Sequence, residues 1–246
     1  MELPLLTCNI LTYKRPWYAI QTLSRLISHI RYTGEKRYVV IDGGSPAWHL
    51  DMYREVLQHE SYEIVQDHSD QTGQLVNLAA DHGGEVWITA LDDFMPERSI
   101  NVTTDVEFLL NQPDVGHIRY GRMQSWNPDY KIYAELRMQY SQGYWVIDKS
   151  RSFLDYVWTM GFSMMHRRMW DAYGPCPNMP PHQPGETELQ LNSHFKERSG
   201  PTVAVPVYIG QESDTYLPLG EFINHMGHVR TDEYSNQKGV SRWGAT

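Results

Sequence analysis

The first half of the chain alternates short apolar runs with longer segments whose apolar residues recur at helical spacing. The segment after the first run, for example, places Trp17, Ile20, Leu23, Ile27 and Ile30 on one helical face. The runs that predict strands are LPLLTCNILTY, RYVVID, YEIVQ, EVWITAL and VGHIRYG. Strands that alternate with helices in this way form a largely parallel sheet with helices packed on it. The pattern therefore predicts an α/β domain.

The second half of the chain has a different character. DYKIYAELRMQYSQGYWVID predicts a β-hairpin with SQG as its turn, and TVAVPVYI predicts a further strand. SMMHRRMWDAYG and ETELQLNSHFKERSG predict helices, and the proline-rich segment PCPNMPPHQPG between them predicts a loop. The segment from Gly210 onward is polar and has no strong periodicity, so no element is predicted there.

Three acidic residues directly follow predicted strands. Asp42 closes the second run, and Asp92 and Asp93 close the fourth. Because the carboxyl ends of parallel strands share one edge of a sheet, where ligands bind, we expect these acids at a common site. Two adjacent carboxylates repel one another and are costly to bury unless a cation lies between them. The alternatives are a solvated strand end for the acidic pair and a turn aspartate before Gly-Gly for Asp42.

The composition weighs against several classes of protein. A formal net charge of -9 disfavours a protein that holds nucleic acid on a broad basic surface. The two cysteines, Cys8 and Cys176, form neither a metal-binding motif nor a disulfide framework. No apolar run approaches the roughly 20 residues that a membrane span needs. We therefore expect a soluble, cytoplasmic protein with no membrane span.

The order of these motifs resembles that of the family 2-like glycosyltransferases of the GT-A fold. LTYKRP is similar to the family's PTYNRP, VVIDGGS to VVDDGS, and LDDFMP to the metal motif LDxDxxxxP. DQTGQLVNLAA is similar to the start of the third helix, MGFSMMHRRMWDAYG resembles GGNMAFRREAFERVGGF, and PGETELQLNSHFKERSGPTVAVP resembles EDxDLxLRLxxAGxxIxxVP. The match extends over residues 5–206 in the family's order. The chain departs from the family at Gly43, Phe94 and Gly185, where acidic residues are common.

The resemblance implies a Rossmann-like mixed α/β sheet flanked by helices, the fold of nucleotide-diphospho-sugar transferases. It implies a metal-dependent, inverting transfer of a sugar from a UDP- or GDP-linked donor to a hydroxyl of an unknown acceptor. Mn²⁺ or Mg²⁺ is the implied cofactor, because oxygen ligands suit these cations. The implied layout is a glycosyltransferase domain over 1–209, with a nucleotide-binding half at about 1–120 and an acceptor half at 121–209. Residues 210–246 are expected to form a C-terminal tail that closes the active site.

The resemblance also assigns a donor site. Its implied metal ligands are Asp93, Asp92 and, from the C-terminal segment NHMGH, His225. A structural histidine is an equally good interpretation of His225, and Asp92 is also suited to contact the ribose or sugar of the donor. Asp42 is implied to accept a hydrogen bond from the base. The implied nucleotide-sugar contacts are Thr12, Tyr13, Arg15, Asp42, Asn77 and Asp92.

The catalytic base that the resemblance implies is Glu186, and Glu188 is close enough in sequence to be its rival. Both residues are also explained as acids at the positive end of a helix dipole. Tryptophans are candidate platforms for the acceptor, with core packing as the alternative interpretation. These residues are Trp126, Trp145 and Trp158.

Three other functions fit parts of the sequence. Glycosylation of a modified nucleic-acid base, which bacteriophage-encoded members of this fold perform, needs a local basic groove. The candidates for that groove are Arg119, Arg122, Arg167 and Arg168. A nucleotidyltransferase usually carries a glycine-rich loop with a basic residue after the first strand, which LTYKRP lacks. A non-catalytic sugar-binding descendant would show no metal-dependent affinity for nucleotides.

Overall fold

The computed structural model describes residues 2–68, 71–120, 138–152, 157–177, 186–206 and 223–225. Its strands are β1 (Leu6–Thr12), β2 (Ile30–Arg31), β3 (Lys36–Asp42), β4 (Tyr62–Gln66), β5 (Val86–Leu91), β6 (Phe94–Pro96), β7 (Ile100–Asn101), β8 (Val115–Arg119), β9 (Met138–Ser141), β10 (Tyr144–Ile147), β11 (Phe162–His166), β12 (Thr202–Pro206) and β13 (Ile223–His225). Its helices are α1 (Pro16–His29), α2 (Ala47–Leu57), α3 (Thr72–His82), α4 (Thr103–Asn111), α5 (Arg167–Tyr173) and α6 (Glu186–Glu197).

The described strands form one large mixed sheet and two short pairs. The large sheet has the order β4-β3-β1-β5-β11-β8-β12-β10-β9. β4, β3, β1 and β5 are parallel, whereas β11 runs antiparallel between β5 and β8. β12 runs parallel to β8, and β10 and β9 continue the sheet in antiparallel fashion. The short pairs are β2 with β7 and β6 with β13. The predicted α/β class with a mixed sheet is confirmed.

Helices cover both faces of the large sheet, and an apolar core lies on each face. One core contains side chains of α1, α2 and α4, and the other contains side chains of α3, α5 and α6. β1 contributes to both cores, since Leu6, Cys8 and Ile10 belong to the first and Leu11 to the second. A strand buried on both faces reads as a continuous apolar run, which is why β1 and β5 were recognisable in the sequence.

The helix predicted over SMMHRRMWDAYG is wrong in its first part. Phe162–His166 is the strand β11, and the helix α5 begins only at Arg167. Because β11 lies between β5 and β8 and its first four residues are buried, its apolar residues do not alternate with polar ones. A short run of this kind has no periodicity that separates a buried strand from a buried helix.

The predicted hairpin is confirmed where the structure describes it. β9 and β10 pair antiparallel around Gln142 and Gly143, whose φ angles are 50° and 90°. Positive φ at both central residues is the geometry of a tight type I′ turn, which suits the right-handed twist of the strands. The short strands β2, β6, β7 and β13 were not predicted, because two or three residues cannot show a period. The helix α4, of nine residues, was also not predicted.

No helix among the described residues combines the length and the apolar character needed to cross a bilayer. The expected cytoplasmic location stays a prediction from the sequence.

His117 of β8 is buried without hydrogen bonds. Its side chain is fully enclosed, and neither ring nitrogen has a hydrogen-bond partner among the described residues. The imidazole centroid lies 6.0 Å from the ring centroid of Trp158. Burial, together with the charge of Arg119, lowers the pKa of His117 from 6.5 to about 3. The folded protein therefore keeps this imidazole neutral where an unfolded chain would protonate it.

We predict that His117 makes the protein less stable as the pH falls. Between pH 6.5 and about 3 the unfolded chain binds a proton that the folded chain excludes, so the free energy of unfolding decreases. One such group contributes up to about 1.4 kcal/mol per pH unit. The variant His117→Gln should flatten this slope when unfolding by denaturant is measured from about pH 7 to about pH 5. His59→Gln, at an exposed histidine, is the control. Equal slopes in wild type and His117→Gln would contradict the prediction.

Candidate active site

The predicted acids meet at one edge of the large sheet. β1 pairs with β3 on one side, where Thr12 is opposite Asp42, and with β5 on the other, where Leu11 is opposite Leu91. The chain continues from Leu91 into Asp92, whose N–H donates to the carbonyl of Leu11 at 3.0 Å. The end of β1 therefore lies between Asp42 on one side and the acidic pair on the other.

The guanidinium of Arg15 bridges the acidic pair. Its Nη1 lies 3.1 Å from Oδ1 of Asp92, and both Nη1 and Nη2 donate to Oδ2 of Asp93 at 3.2 Å. Thr12 donates its hydroxyl to Oδ2 of Asp92 at 2.9 Å, and Thr22 donates to the carbonyl of Asp92 at 2.7 Å. Asp92 and Asp93 are only 4% and 8% exposed. The two acids are thus held in fixed positions with a cation between them.

The charges at this edge depend on one another. Burial raises the pKa of Asp92, and the neighbouring Asp93 raises it further, while Arg15 and the hydroxyl of Thr12 act in the opposite direction. Burial lowers the pKa of Arg15, but the two carboxylates more than offset this, so that its pKa is raised overall. A buried acidic pair of this kind requires positive charge to stay ionised.

Asp42 has one carboxylate oxygen that accepts hydrogen bonds and one that is buried without a partner among the described residues. Oδ1 accepts hydrogen bonds from the N–H of Gly44 at 3.0 Å, the N–H of Ser45 at 2.6 Å and Nε2 of Gln66 at 3.2 Å. Oδ2 is buried and has no hydrogen-bond partner among the described residues. Since a buried acceptor without a donor is costly, this atom suits a donor supplied by a ligand.

Tyr13 occupies the space that the second acid of the family motif would need. A Cβ added at Gly43 would lie 2.5 Å from Cδ2 of the Tyr13 ring. The turn that carries Tyr13 continues through Lys14, whose φ of 55° lies in the left-handed region and whose N–H donates to the hydroxyl of Ser45 at 3.1 Å. The glycine at position 43 is therefore explained by the aromatic ring packed against it.

Glu188 is anchored to the turn before β11. Its Oε1 accepts hydrogen bonds from the N–H of Met160 at 2.6 Å and the hydroxyl of Thr159 at 3.1 Å. The next residue, Gly161, accepts from the N–H of Leu91 at 2.9 Å. The start of α6 is thus connected, through a few residues, to the strand that carries the acidic pair.

Two predicted site residues have side chains outside the described part of the structure. Glu186 is the first residue of α6. His225 ends β13, whose backbone register places it opposite Phe94, the residue that follows Asp93. Among the described residues, no group of three His, Cys, Asp or Glu side chains is arranged to hold a metal ion. The roles assigned to Glu186 and His225 stay predictions.

Asn77 has a different contact from the one predicted for it. Its Nδ2 donates to the carbonyl of Cys176 at 3.1 Å, and its Oδ1 accepts from the N–H of Cys176 at 2.9 Å. Both ends of the amide therefore form hydrogen bonds that hold the segment after α5 against α3. A contact between Asn77 and the donor stays a prediction.

Three of the arginines proposed for a basic groove bind backbone carbonyls. Arg167 donates to carbonyls at the end of α3, and Arg168 donates to carbonyls at and beyond the end of α4. Arg119 is buried and donates to the carbonyl of Val157 at 3.0 Å. These contacts hold the fold together, and Arg122 lies outside the described residues.

The tryptophans differ in their surroundings. Trp158 is 1% exposed and packs against His117 and Tyr173, so it is a core residue and the acceptor interpretation is wrong for it. Trp145 of β10 is partly buried, with its ring 5.7 Å from that of the exposed Tyr140. Trp126 lies outside the described residues.

Two residues at this edge were missed in the sequence. Thr22, on α1, holds the backbone of Asp92, and Gln66 holds the side chain of Asp42. Gln66 is the last residue of β4, so a polar residue at a predicted strand end was the signal that would have found it. Thr22 lies within a helical segment and gave no such signal.

By sequence, the chain matches no protein-family model and no curated protein. By structure, it is similar to the mannosyltransferase PcManGT from Pyrobaculum calidifontis in complex with GDP-Man and Mn²⁺, with a TM-score of 0.56, 13% identity and coverage of 85% of this chain and 58% of that one. For S. aureus TarS 1-349 in complex with UDP-GlcNAc, the TM-score is 0.59 at 14% identity, with coverage of 94% and 62%. For GalNAc-T7 with UDP, GalNAc and Mn²⁺, it is 0.56 at 14% identity, with coverage of 83% and 42%.

The chain spans less than two thirds of the length of each of these proteins. At this level of identity the similarity shows the fold. The protein therefore has the GT-A fold of these glycosyltransferases, as its motifs predict.

We predict that Gly43→Ala lowers the free energy of unfolding by about 1–3 kcal/mol, because the added methyl group collides with the Tyr13 ring. In a Tyr13→Ala background the same substitution should cost much less. A double-mutant cycle measured by denaturant unfolding gives the coupling between the two positions. If Gly43→Ala costs the same in both backgrounds, the ring is not what requires glycine at this position.

Proposed function

We propose that the protein is a metal-dependent glycosyltransferase that uses a UDP-linked sugar. One observation carries the proposal: Asp42 and the buried acidic pair lie at the ends of two strands on opposite sides of β1, and Oδ2 of Asp42 has no hydrogen-bond partner among the described residues. The ends of β3 and β5 are two strand spacings apart, about 10 Å, which suits a nucleoside diphosphate extended from base to phosphates. The structures of similar fold contain GDP-Man, UDP-GlcNAc or UDP, which supports a nucleotide-sugar donor.

The hydrogen bonds of Asp42 favour one class of base. A carboxylate accepts hydrogen bonds only, and Oδ1 already accepts three. The other oxygen, Oδ2, has no donor among the described residues and suits the single ring N–H of uracil or thymine. Guanine presents two adjacent N–H groups on the equivalent edge, and cytosine presents an acceptor in place of the N–H. This difference supports a uridine or thymidine nucleotide over guanosine or cytidine.

The acidic pair has the chemistry of a divalent cation site. Asp92 and Asp93 supply carboxylate oxygens, which Mn²⁺ and Mg²⁺ prefer, and their burial already requires a positive charge beside them. The pairing of β13 with β6 brings the backbone of His225 next to this pair and supports it as a further ligand. A cation bound there would neutralise the charge that develops on the departing diphosphate.

The first turn of α6 is the proposed source of the catalytic base. We assign the base to Glu186, which begins the helix, because Oε1 of Glu188 already holds the turn at Met160. Glu188 then positions the helix start relative to β5. A base that removes the proton of the acceptor hydroxyl accounts for an inverting transfer.

The C-terminal tail is proposed to close the donor site. β13 is the described part of the tail, and it pairs with β6, which starts directly after the acidic pair. The division into a nucleotide-binding half and an acceptor half follows the same reasoning, since Asp42 and the acidic pair belong to the first half and α6 to the second.

We predict that UDP binds more tightly than GDP or CDP, and only with Mn²⁺, in calorimetric titrations run with and without the metal. A titration with dTDP tests the combined effect of the 2′-hydroxyl and the 5-methyl group, since thymine keeps the ring N–H of uracil. Asp93→Asn should abolish the metal-dependent binding.

Asp42→Asn should weaken UDP binding by about tenfold or more, because the three donors at Oδ1 force the new amide N–H₂ towards the base. Asp51→Asn removes an exposed carboxylate of α2 and is the matched control.

The titrations separate the parts of the proposal. Tighter binding of GDP than of UDP would contradict the base assignment at Asp42. Absence of binding by every nucleotide in both conditions would contradict a nucleotide-sugar transferase and favour the sugar-binding alternative.

We predict that Glu186→Gln lowers the rate at which the UDP-sugar is cleaved to UDP by about 100-fold or more, since general-base catalysis typically contributes that much. UDP itself should still bind to this variant. Glu188→Gln keeps a carbonyl oxygen that can accept from Met160, so its rate should fall less. Rates measured at saturating donor test this order. The reverse order, with Glu188→Gln the slower variant, would transfer the role of base to Glu188.

A further inference from the structure

Arg15 occupies the middle of the proposed donor site. It lies three residues after the end of β1, and β1 lies between the strand that ends at Asp42 and the strand that leads to the acidic pair. Its guanidinium contacts Asp92 and Asp93 at 3.1 and 3.2 Å. The side chain is 22% exposed, so part of it is accessible to a ligand. A diphosphate held between base and metal would pass this guanidinium.

Arg15 competes with a metal ion for the acidic pair. Its guanidinium already contacts the carboxylates of both Asp92 and Asp93. A divalent cation that binds there without a nucleotide must take these carboxylates from Arg15 or lie beside a like charge, so Arg15 opposes metal binding in the absence of nucleotide. A diphosphate that arrives with the metal reverses this effect, because it supplies the guanidinium with new anionic partners.

The surroundings of Arg15 suit such an exchange of partners. Its guanidinium carbon lies 4.3 Å from the ring centroid of Tyr18, a cation–π contact that does not depend on the carboxylates. Arg15 also immediately precedes α1, a helix of 14 residues whose first-turn N–H groups favour nearby anions. The planar guanidinium binds phosphate oxygens as readily as carboxylate oxygens.

We propose that Arg15 is an internal counter-ion that couples the binding of the metal to the binding of the donor diphosphate. With no ligand bound it neutralises part of the charge of Asp92 and Asp93. When the metal and the nucleotide bind together it turns from the acids to the diphosphate. This inference rests on the proposed function, which supplies the diphosphate. Because coupling between two ligands is reciprocal, each should bind more tightly when the other is present.

The variant Arg15→Gln should raise the affinity for Mn²⁺ alone and lower the affinity for UDP. Without nucleotide, it should bind Mn²⁺ about fivefold to tenfold more tightly than wild type, measured as the loss of the EPR signal of free Mn²⁺, because the competing cation is gone. At saturating Mn²⁺, it should bind UDP about tenfold more weakly in calorimetry, because the diphosphate loses a charged partner. Arg54→Gln, which breaks an exposed ion pair of α2, removes the same charge and should change neither affinity.

Arg15→Lys tests the inference if Arg15→Gln does not fold. Lysine keeps the positive charge but not the two-pronged geometry, so Mn²⁺ alone should bind as in wild type while UDP binds more weakly. A Mn²⁺ affinity that stays unchanged in Arg15→Gln, or that falls together with the UDP affinity, would overturn the coupling and leave Arg15 a structural ion pair. Failure of wild type to bind UDP with Mn²⁺ would instead count against the proposed function, and the Mn²⁺ measurement alone would still report on the competition.

Discussion

Parallel pairing of β1 with β3 on one side and with β5 on the other brings three strand ends to one edge of the sheet. β1 is buried at all seven of its positions, and Asn9 within it donates to the carbonyl of Ala79 on α3 at 2.6 Å. A slip of one residue would exchange the faces of every side chain in the strand, which the cores on both sides oppose. The register that places Thr12 opposite Asp42 is therefore imposed by packing, and the site inherits its geometry from that register.

Most of the first half of the fold was predictable because its strands are long, apolar and separated by amphipathic helices. The five predicted strand runs correspond to β1, β3, β4, β5 and β8, and the acids that close them lie where parallel pairing requires. The hairpin was predictable for another reason, since a short turn with glycine between strand formers has few alternatives. These signals are local, and they agree with the long-range structure.

The features that the sequence did not predict depend on contacts between residues distant in sequence. Arg15 appeared as one candidate contact among several, and its bridge to the acidic pair depends on a separation of 78 residues that no local pattern encodes. The difference between the two oxygens of Asp42 depends on three donors that all contact Oδ1, one of which comes from β4. β11 was mistaken for helix because burial between two strands removed its alternation. Packing decided each of these features.

The insertion of β11 between β5 and β8 has a consequence for how the chain is assembled during synthesis. When residue 120 has been made, β8 is present, yet its neighbours in the sheet, β11 and β12, are still to come. Until then β5 carries an open edge of N–H and C=O groups, for several seconds at about 5–20 residues per second. The end of β8 near residue 120 is therefore no boundary between folding units, and the first half of the chain depends on later residues to close its sheet.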